Sequence, residues 1–358
     1  MKQLILLMLV TGMVATSAIA QKAATGSAPI PVICADDPLH PIAGKSYDYS
    51  AILNPSGGTT YWYATKETTF VTAGARTAVE IPADGTAIAS GATNYRTDGS
   101  SAASPSKASL TWTSAGLKGV DANNPLFMVL EYKGPGTPSC ANNLKAYQIL
   151  PKNAFTVDIR NVKSNGLTPL DYGASDAQCY ADIVSANYDI PTAKMVFDYG
   201  VNKMYYEVVA ANFTGSFTPS FKLSGLNSGQ SALVEWTVDK TFASGLTALG
   251  AAQPATTGAV LDFTGTAVAA DPAITDMSKG VSIYIKVTVT NGLYEGLSND
   301  AVALAVEAVN ASGEADIDNV SCAAPAATFE DIANQILNKR PTLTSDNAPG
   351  TFVPQTLP

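Results

Sequence analysis

One histidine, two close acidic pairs and four cysteines are the residues of this chain whose types could do chemistry. His40 would have to be the base of any Ser-His-Asp or Cys-His arrangement. It lies in Asp37-Pro38-Leu39-His40-Pro41, a proline-bracketed loop with no GxSxG motif beside it, and is read as a loop residue. Asp36 with Asp37, and Asp316 with Asp318, could supply the two carboxylates of glycoside hydrolysis. Each pair flanks a cysteine in a loop-like segment, where solvation is expected. Ala315-Asp316-Ile317-Asp318-Asn319 could offer oxygen ligands to calcium, but it lacks the glycine and distal glutamate of an EF-hand loop. Neither phosphate-loop motif, GxxxxGKS/T or GxGxxG, is present. The sequence therefore assigns no catalytic residue, no cofactor and no metal.

The cysteines Cys34, Cys140, Cys179 and Cys322 read first as two disulfides, given an oxidising compartment. Three pairings are open. The one favoured here, Cys34–Cys140 with Cys179–Cys322, closes one unit each. An exported chain is expected from the N-terminus. Lys2 precedes an apolar run from Leu4 to Val14, and Ala18-Ile19-Ala20 is a cleavage site of the small-x-small kind before Gln21. No later stretch approaches the roughly 18 apolar residues of a membrane helix. A net charge of −9 without a Lys/Arg cluster speaks against nucleic acid as a partner.

The elements that must position these residues are strands. Only 14% of residues are charged, and Thr, Tyr and Val are common, a composition suited to strands and their connections. Lys45 to Leu53, the turn Asn54-Pro55-Ser56-Gly57-Gly58 and Thr59 to Thr65 predict a hairpin. Ser109 to Ser114, Leu126 to Tyr132 and Leu144 to Leu150 are further strands, and Ala73 to Lys107 is a low-complexity stretch. The second half repeats this order. Phe221 to Leu226, the turn Asn227-Ser228-Gly229 and Leu233-Val234-Glu235-Trp236 match the first strand, turn and Trp62 strand, and Val281 to Thr290 follows. Ahead of that repeat, Phe155 to Val162, Cys179 to Tyr188, Lys194 to Tyr199 and Lys203 to Ala211 also read as strands. The exception is the end. Phe329, Ile332, Ala333, Ile336 and Leu337 fall on one helical face, with Lys339 and Arg340 in the last turn and Pro341 as the stop.

At Cys34…Trp62…Cys140 and Cys179…Trp236…Cys322 the chain resembles immunoglobulin-like and PKD-like domains of secreted bacterial surface proteins. In immunoglobulin domains the Trp stands close behind the first Cys. Here the gap is longer in both units, so a disulfide would not be the usual inter-sheet one. The resemblance implies adhesion, spacing or surface assembly.

The fold expected is all-β: two tandem antiparallel Ig-like β-sandwich domains, residues 32–152 and 153–325. A signal peptide (1–20) and a flexible leader (21–31) precede them. A short amphipathic helix with an extended tail (326–358) follows. The function expected is that of a secreted, non-enzymatic structural or interaction protein at the cell surface, self-associating or binding other surface proteins. Its terminal segments could add as strands to a neighbour's sheet edge. The alternative is a carbohydrate-binding module. Tyr61 and Tyr63 would meet glycans or partners from the face opposite Trp62. Phe329, Ile332, Ile336 and Leu337 would meet a partner from the helix.

Overall fold

The computed structural model describes residues 34–66, 68–70, 104–136, 142–166, 177–269, 277, 280–318, 322–323 and 328–342. The expected signal peptide and leader, Cys140, most of the low-complexity stretch and the residues beyond Thr342 lie outside them.

Among the described residues five strands surround a first core: β1 (Ser46–Ala51), β2 (Thr59–Thr65), β3 (Ser106–Thr111), β4 (Leu126–Lys133) and β5 (Asn142–Ile149). The expected hairpin of β1 and β2 does not form. β1 pairs with β3, while β2 pairs with β4 in the sheet β2–β4–β5. Tyr47 and Tyr49 alternate inward on β1, and Thr60, Trp62 and Ala64 on β2. Opposite sheets let both inward rows face one core, which a flat hairpin would not. Trp62 and Trp112 are fully buried there, and their indole N–H groups donate to Ser106 Oγ (2.9 Å) and Tyr49 Oη (3.0 Å). A single helical turn, α1 (Ser114–Leu117), follows β3, with Thr113 Oγ1 accepting the Gly116 N–H.

The second core lies between two larger sheets. Its strands are β6 (Thr156–Val162), β7 (Gln178–Cys179), β8 (Ser185–Asp189), β9 (Lys194–Asp198), β10 (Val201–Ala211), β11 (Ser216–Ser224), β12 (Ser231–Thr237), β13 (Thr247–Ala248), β14 (Gln253–Pro254), β15 (Leu261–Thr264), β16 (Val268–Ala269), β17 (Val281–Thr290), β18 (Asp300–Asn310) and β19 (Asp331–Asn338). One sheet runs β13–β12–β17–β10–β6, with β14 also on β12. The other runs β15–β11–β18–β19–β7, with β16 also on β11. Pairing is antiparallel except between β19 and β7. Phe213, Phe217, Phe221, Tyr206 and Leu304 fill the space between the sheets. The two units are not copies in their pairing. β2 skips β3 to pair with β4, whereas its sequence counterpart β12 pairs directly with β17. Trp236 accordingly is only partly buried at the edge of its core, while Trp62 is central.

The expected C-terminal helix is strand β19, paired with β18 from Asp331↔Val306 to Leu337↔Asp300. Its inward residues are Ala333, Gln335 and Leu337. A polar residue in an inward row hides the strand period, and Gln335 is that residue. Its amide donates to the Tyr205 carbonyl (3.0 Å) and lies 3.4 Å from Asn161 Oδ1, while Asn161 donates to the Asn334 carbonyl (2.6 Å). These amides stitch β19 to the edge of the facing sheet.

The expected disulfides are also corrected. Cys34 is bonded to Cys322, 288 positions away, and Cys179 is a free, exposed thiol. The reason is the path of the chain after β18. Asp316 is held back against Ala308, and Ile317 then enters the first core, its N–H donating to the Phe155 carbonyl (2.8 Å). That detour carries Cys322 to Cys34. Around it the units interlock. Ser114 and Thr214 exchange backbone and hydroxyl hydrogen bonds (2.9 and 3.0 Å). Gly44 lies so close to Met277 that an added Cβ would clash at 2.7 Å.

Candidate functional site

Asp36, Asp37, His40 and Asp316 are engaged in hydrogen bonds and ion pairs with the surrounding chain. Asp36 is nearly buried, ion-paired with Lys45 (2.9 Å) and hydrogen-bonded by the Tyr47 hydroxyl. Asp37 turns back in an exposed loop to accept from the backbone N–H groups of Leu39 (2.7 Å) and His40 (2.9 Å) and to meet the His40 ring (3.0 Å). The His40 bond holds its carboxyl below the usual range. Asp316 was expected to be solvated and is instead buried, its Oδ1 accepting the Ala308 N–H (2.9 Å). Among the described residues, no group of three or more His, Cys, Asp or Glu is placed to hold a metal ion.

The expected contact residues are scattered. Tyr61 and Tyr63 do lie opposite Trp62, but Tyr63 is 1% exposed and Val129, its partner on β4, is fully buried. Phe70 packs edge-on against Phe127 on that same face (5.0 Å). Tyr63 is therefore not open to a sugar. Ile332 and Ile336 are partly buried on the outer side of β19, and Leu337 is in the second core. The Phe329 ring lies under the Lys222 ammonium (4.3 Å). Strand geometry divides this predicted helical face between two sides of a sheet.

The surface that sequence reasoning missed is the hairpin β8–β9. It pairs with neither large sheet, and both its outer edges are open among the described residues. Of the fifteen large apolar side chains exposed among the described residues, seven fall between Ile183 and Val201, which marks this segment as a patch and not scatter. The register explains why. Tyr188 lies opposite Met195 and Ala186 opposite Phe197, so these four share one face. The other face carries Ser185, Asn187, Asp189, Lys194 and Asp198 with Val196. The hairpin is thus amphipathic, yet Tyr188 is 59% and Met195 50% exposed, and Ile190 at its tip is 82% exposed.

Its base is rigid. Asn291, fully buried, donates to Asn202 Oδ1 (2.9 Å) and to the Tyr199 carbonyl (3.0 Å), and accepts from Gln230 (3.0 Å). Asn202 in turn donates to the Cys179 carbonyl (2.9 Å). Phe197 stacks on Tyr199 (5.5 Å), and the Arg340 guanidinium covers Tyr199 (5.1 Å) while donating to its carbonyl (2.9 Å). β10 leads from this base to Asn212 beside the first core, so the hairpin stands at the pole of the second sandwich away from the first. The described chain also leaves there, past Arg340, whose N–H donates to the Gly296 carbonyl (2.8 Å). An amphipathic two-stranded hairpin with a fixed base and an uncovered apolar face can take up another strand or apolar surface. The signal in the sequence was Tyr188 to Val196, an apolar alternation about the turn Ile190-Pro191-Thr192-Ala193.

A second feature is a 170 Å³ crevice at the junction, lined by Ser114, Leu117, Lys152, Asn153, Asn212 and Glu314 among others. The Asn212 amide spans it, donating to the Ala154 carbonyl (2.8 Å).

No protein-family model and no curated protein matches the chain. Solved structures resemble it weakly. The full-length major pilin SpaD from Corynebacterium diphtheriae is 13% identical over 73% of this chain and 59% of that one, with a TM-score of 0.23. The collagen adhesin from S. aureus is 7% identical over 84% and 90%, at 0.19. AvmM, described as catalysing macrocyclization in alchivemycin A biosynthesis, is 9% identical over 40% and 84%, at 0.22. At such scores the likeness says nothing of what this chain binds.

Proposed function

We propose that this chain is an exported structural or interaction protein, a subunit of an extracellular surface assembly with no catalytic role. The observation that carries the reading is the uncovered apolar hairpin at one pole of a body whose two cores are locked together. A chain tied by Cys34–Cys322 suits an oxidising location. A cluster of exposed apolar side chains in one segment is the mark of a partner site. The all-β body, with its cores joined by a disulfide and by reciprocal hydrogen bonds, transmits position from one pole to the other instead of closing around a substrate.

The test is made on intact cells of the source organism. A protease added from outside, followed by mass spectrometry of the released peptides, should recover segments of this chain without lysis. Cross-linking on the same cells should join it to other surface proteins or to copies of itself. Recovery from the cytosol alone, with Cys34 and Cys322 reduced, would sink the reading.

A further inference from the structure

We infer that two copies of this chain join through the outer edges of their β9 strands, antiparallel about Val196, so that two hairpins merge into one four-stranded sheet. The inference rests on the assembly reading and deepens it, since it names a second copy as the partner of that pole.

The edge is built for pairing. Among the described residues, no backbone hydrogen bond reaches Lys194 to Phe197 from outside the hairpin. An open edge is ordinarily closed by proline, a bulge or an unmatched charge, because it otherwise takes up another strand. β9 reads Lys194-Met195-Val196-Phe197-Asp198, with no proline and with opposite charges at its two ends. Two strands alone are marginal in water, and three or more with an apolar face are not.

Charge selects the second strand and its register. In a two-fold contact residue i meets j while j meets i. With the axis at Val196, Lys194 stands opposite Asp198 of the second copy, and Asp198 opposite its Lys194, giving two ion pairs. The Gly200 N–H donates to Asp198 Oδ1 (2.9 Å), which fixes that carboxylate at the strand end. Met195 then meets Phe197 of the second copy on the apolar face, a favourable sulfur–aromatic contact made twice. Tyr188 and Ala186 flank these contacts, so one apolar face runs across all four strands. The other pairings match less. Two β8 edges about Asn187 set Asp189 against Ser185 and make no ion pair. β9 against the second copy's β8, in the hairpin's own register, pairs Lys194 with Asp189 but leaves Asp198 opposite Ser185. A shift of the axis by half a residue sets the apolar face against the polar one.

The test uses the purified full chain and mass photometry over a concentration series, because a five-residue edge is a small contact that forms and parts with concentration. The chain should dimerise. Lys194→Asp alone sets two acids against two acids, and Asp198→Lys alone two lysines against two lysines, so each should weaken the dimer about tenfold or more. An equal mixture of these two variants restores both ion pairs and should form mixed dimers. A second measurement does not depend on charge. With the exposed thiol removed by Cys179→Ser, Val196→Cys should give a disulfide-linked dimer on mild oxidation, whereas Asn187→Cys on β8 should not. A chain that stays monomeric, variants that fail to form mixed dimers, or equal cross-linking at positions 187 and 196 would overturn the inference. Each of these failures leaves the surface reading standing with a different partner, whereas recovery from the cytosol alone sinks that reading whether or not the chain dimerises.

Discussion

Cys34 and Cys322 are bonded across the junction of the two cores, with Cys34 packed in the first and Cys322 on a segment sent out by the second sandwich. The bond therefore closes the whole body and not one unit of it. Peptide mapping of non-reduced protein should recover a Cys34–Cys322 pair and an alkylatable Cys179. Replacing Cys34 and Cys322 together by Ser should lower stability by about 2–5 kcal/mol. A map that pairs Cys179 with Cys322 would contradict the arrangement.

Stability should fall as pH rises. Burial, with the charges of Asp158, Asp316, Asp318 and Glu330 around it, pushes the Asp331 carboxyl up to about 8. Burial pushes Asp316 up to about 6. In the unfolded chain both release their protons near the ordinary value of 3.8. The folded state thus holds protons that the unfolded state has lost. That contribution is complete below about pH 4 and disappears as pH passes 6 and then 8. Thermal melts at fixed ionic strength should show Tm declining from pH 5 to pH 9. Asp331→Asn should flatten the upper half of that decline. A Tm that is constant or rising over this range would refute the assignment.

Asn291 is the keystone of the hairpin base. Asn291→Ala leaves Gln230, Asn202 and the Tyr199 carbonyl without its hydrogen bonds in a buried site. The expected cost is about 2–4 kcal/mol. Hydrogen exchange should quicken first at the hairpin base and the 291–299 loop. Uniform quickening across both sandwiches would assign Asn291 to global stability instead.

The two sides of β2 should respond unequally. Trp62→Ala removes one of the two tryptophans of the first core and the indole N–H that Ser106 Oγ accepts, at about 3–5 kcal/mol. Tyr61→Ala, on the opposite and partly open side, should cost far less. Equal losses in denaturant titrations would place the core on the wrong face.

Gln335 and Trp62 show how far local pattern reached. The alternation around Trp62 identified β2 to the residue, because its inward positions are all apolar or small. β19 departs from the expected helix because Gln335 occupies an inward position, and the Tyr205 carbonyl, Asn161 and Gln178, far away in sequence, make that acceptable. The exposed face of β8–β9 was equally silent. Apolar residues on a strand look the same in sequence whether or not a sheet covers them.

By itself the sequence determined the strand-rich character of the chain, most strand positions and the lack of a recognisable catalytic motif, since these follow from composition and period-two alternation. Tertiary structure alone decided which strands pair, which cysteines meet and which apolar face stays open. Those outcomes depend on contacts between residues tens to hundreds of positions apart, and no local pattern encodes which distant surface will arrive.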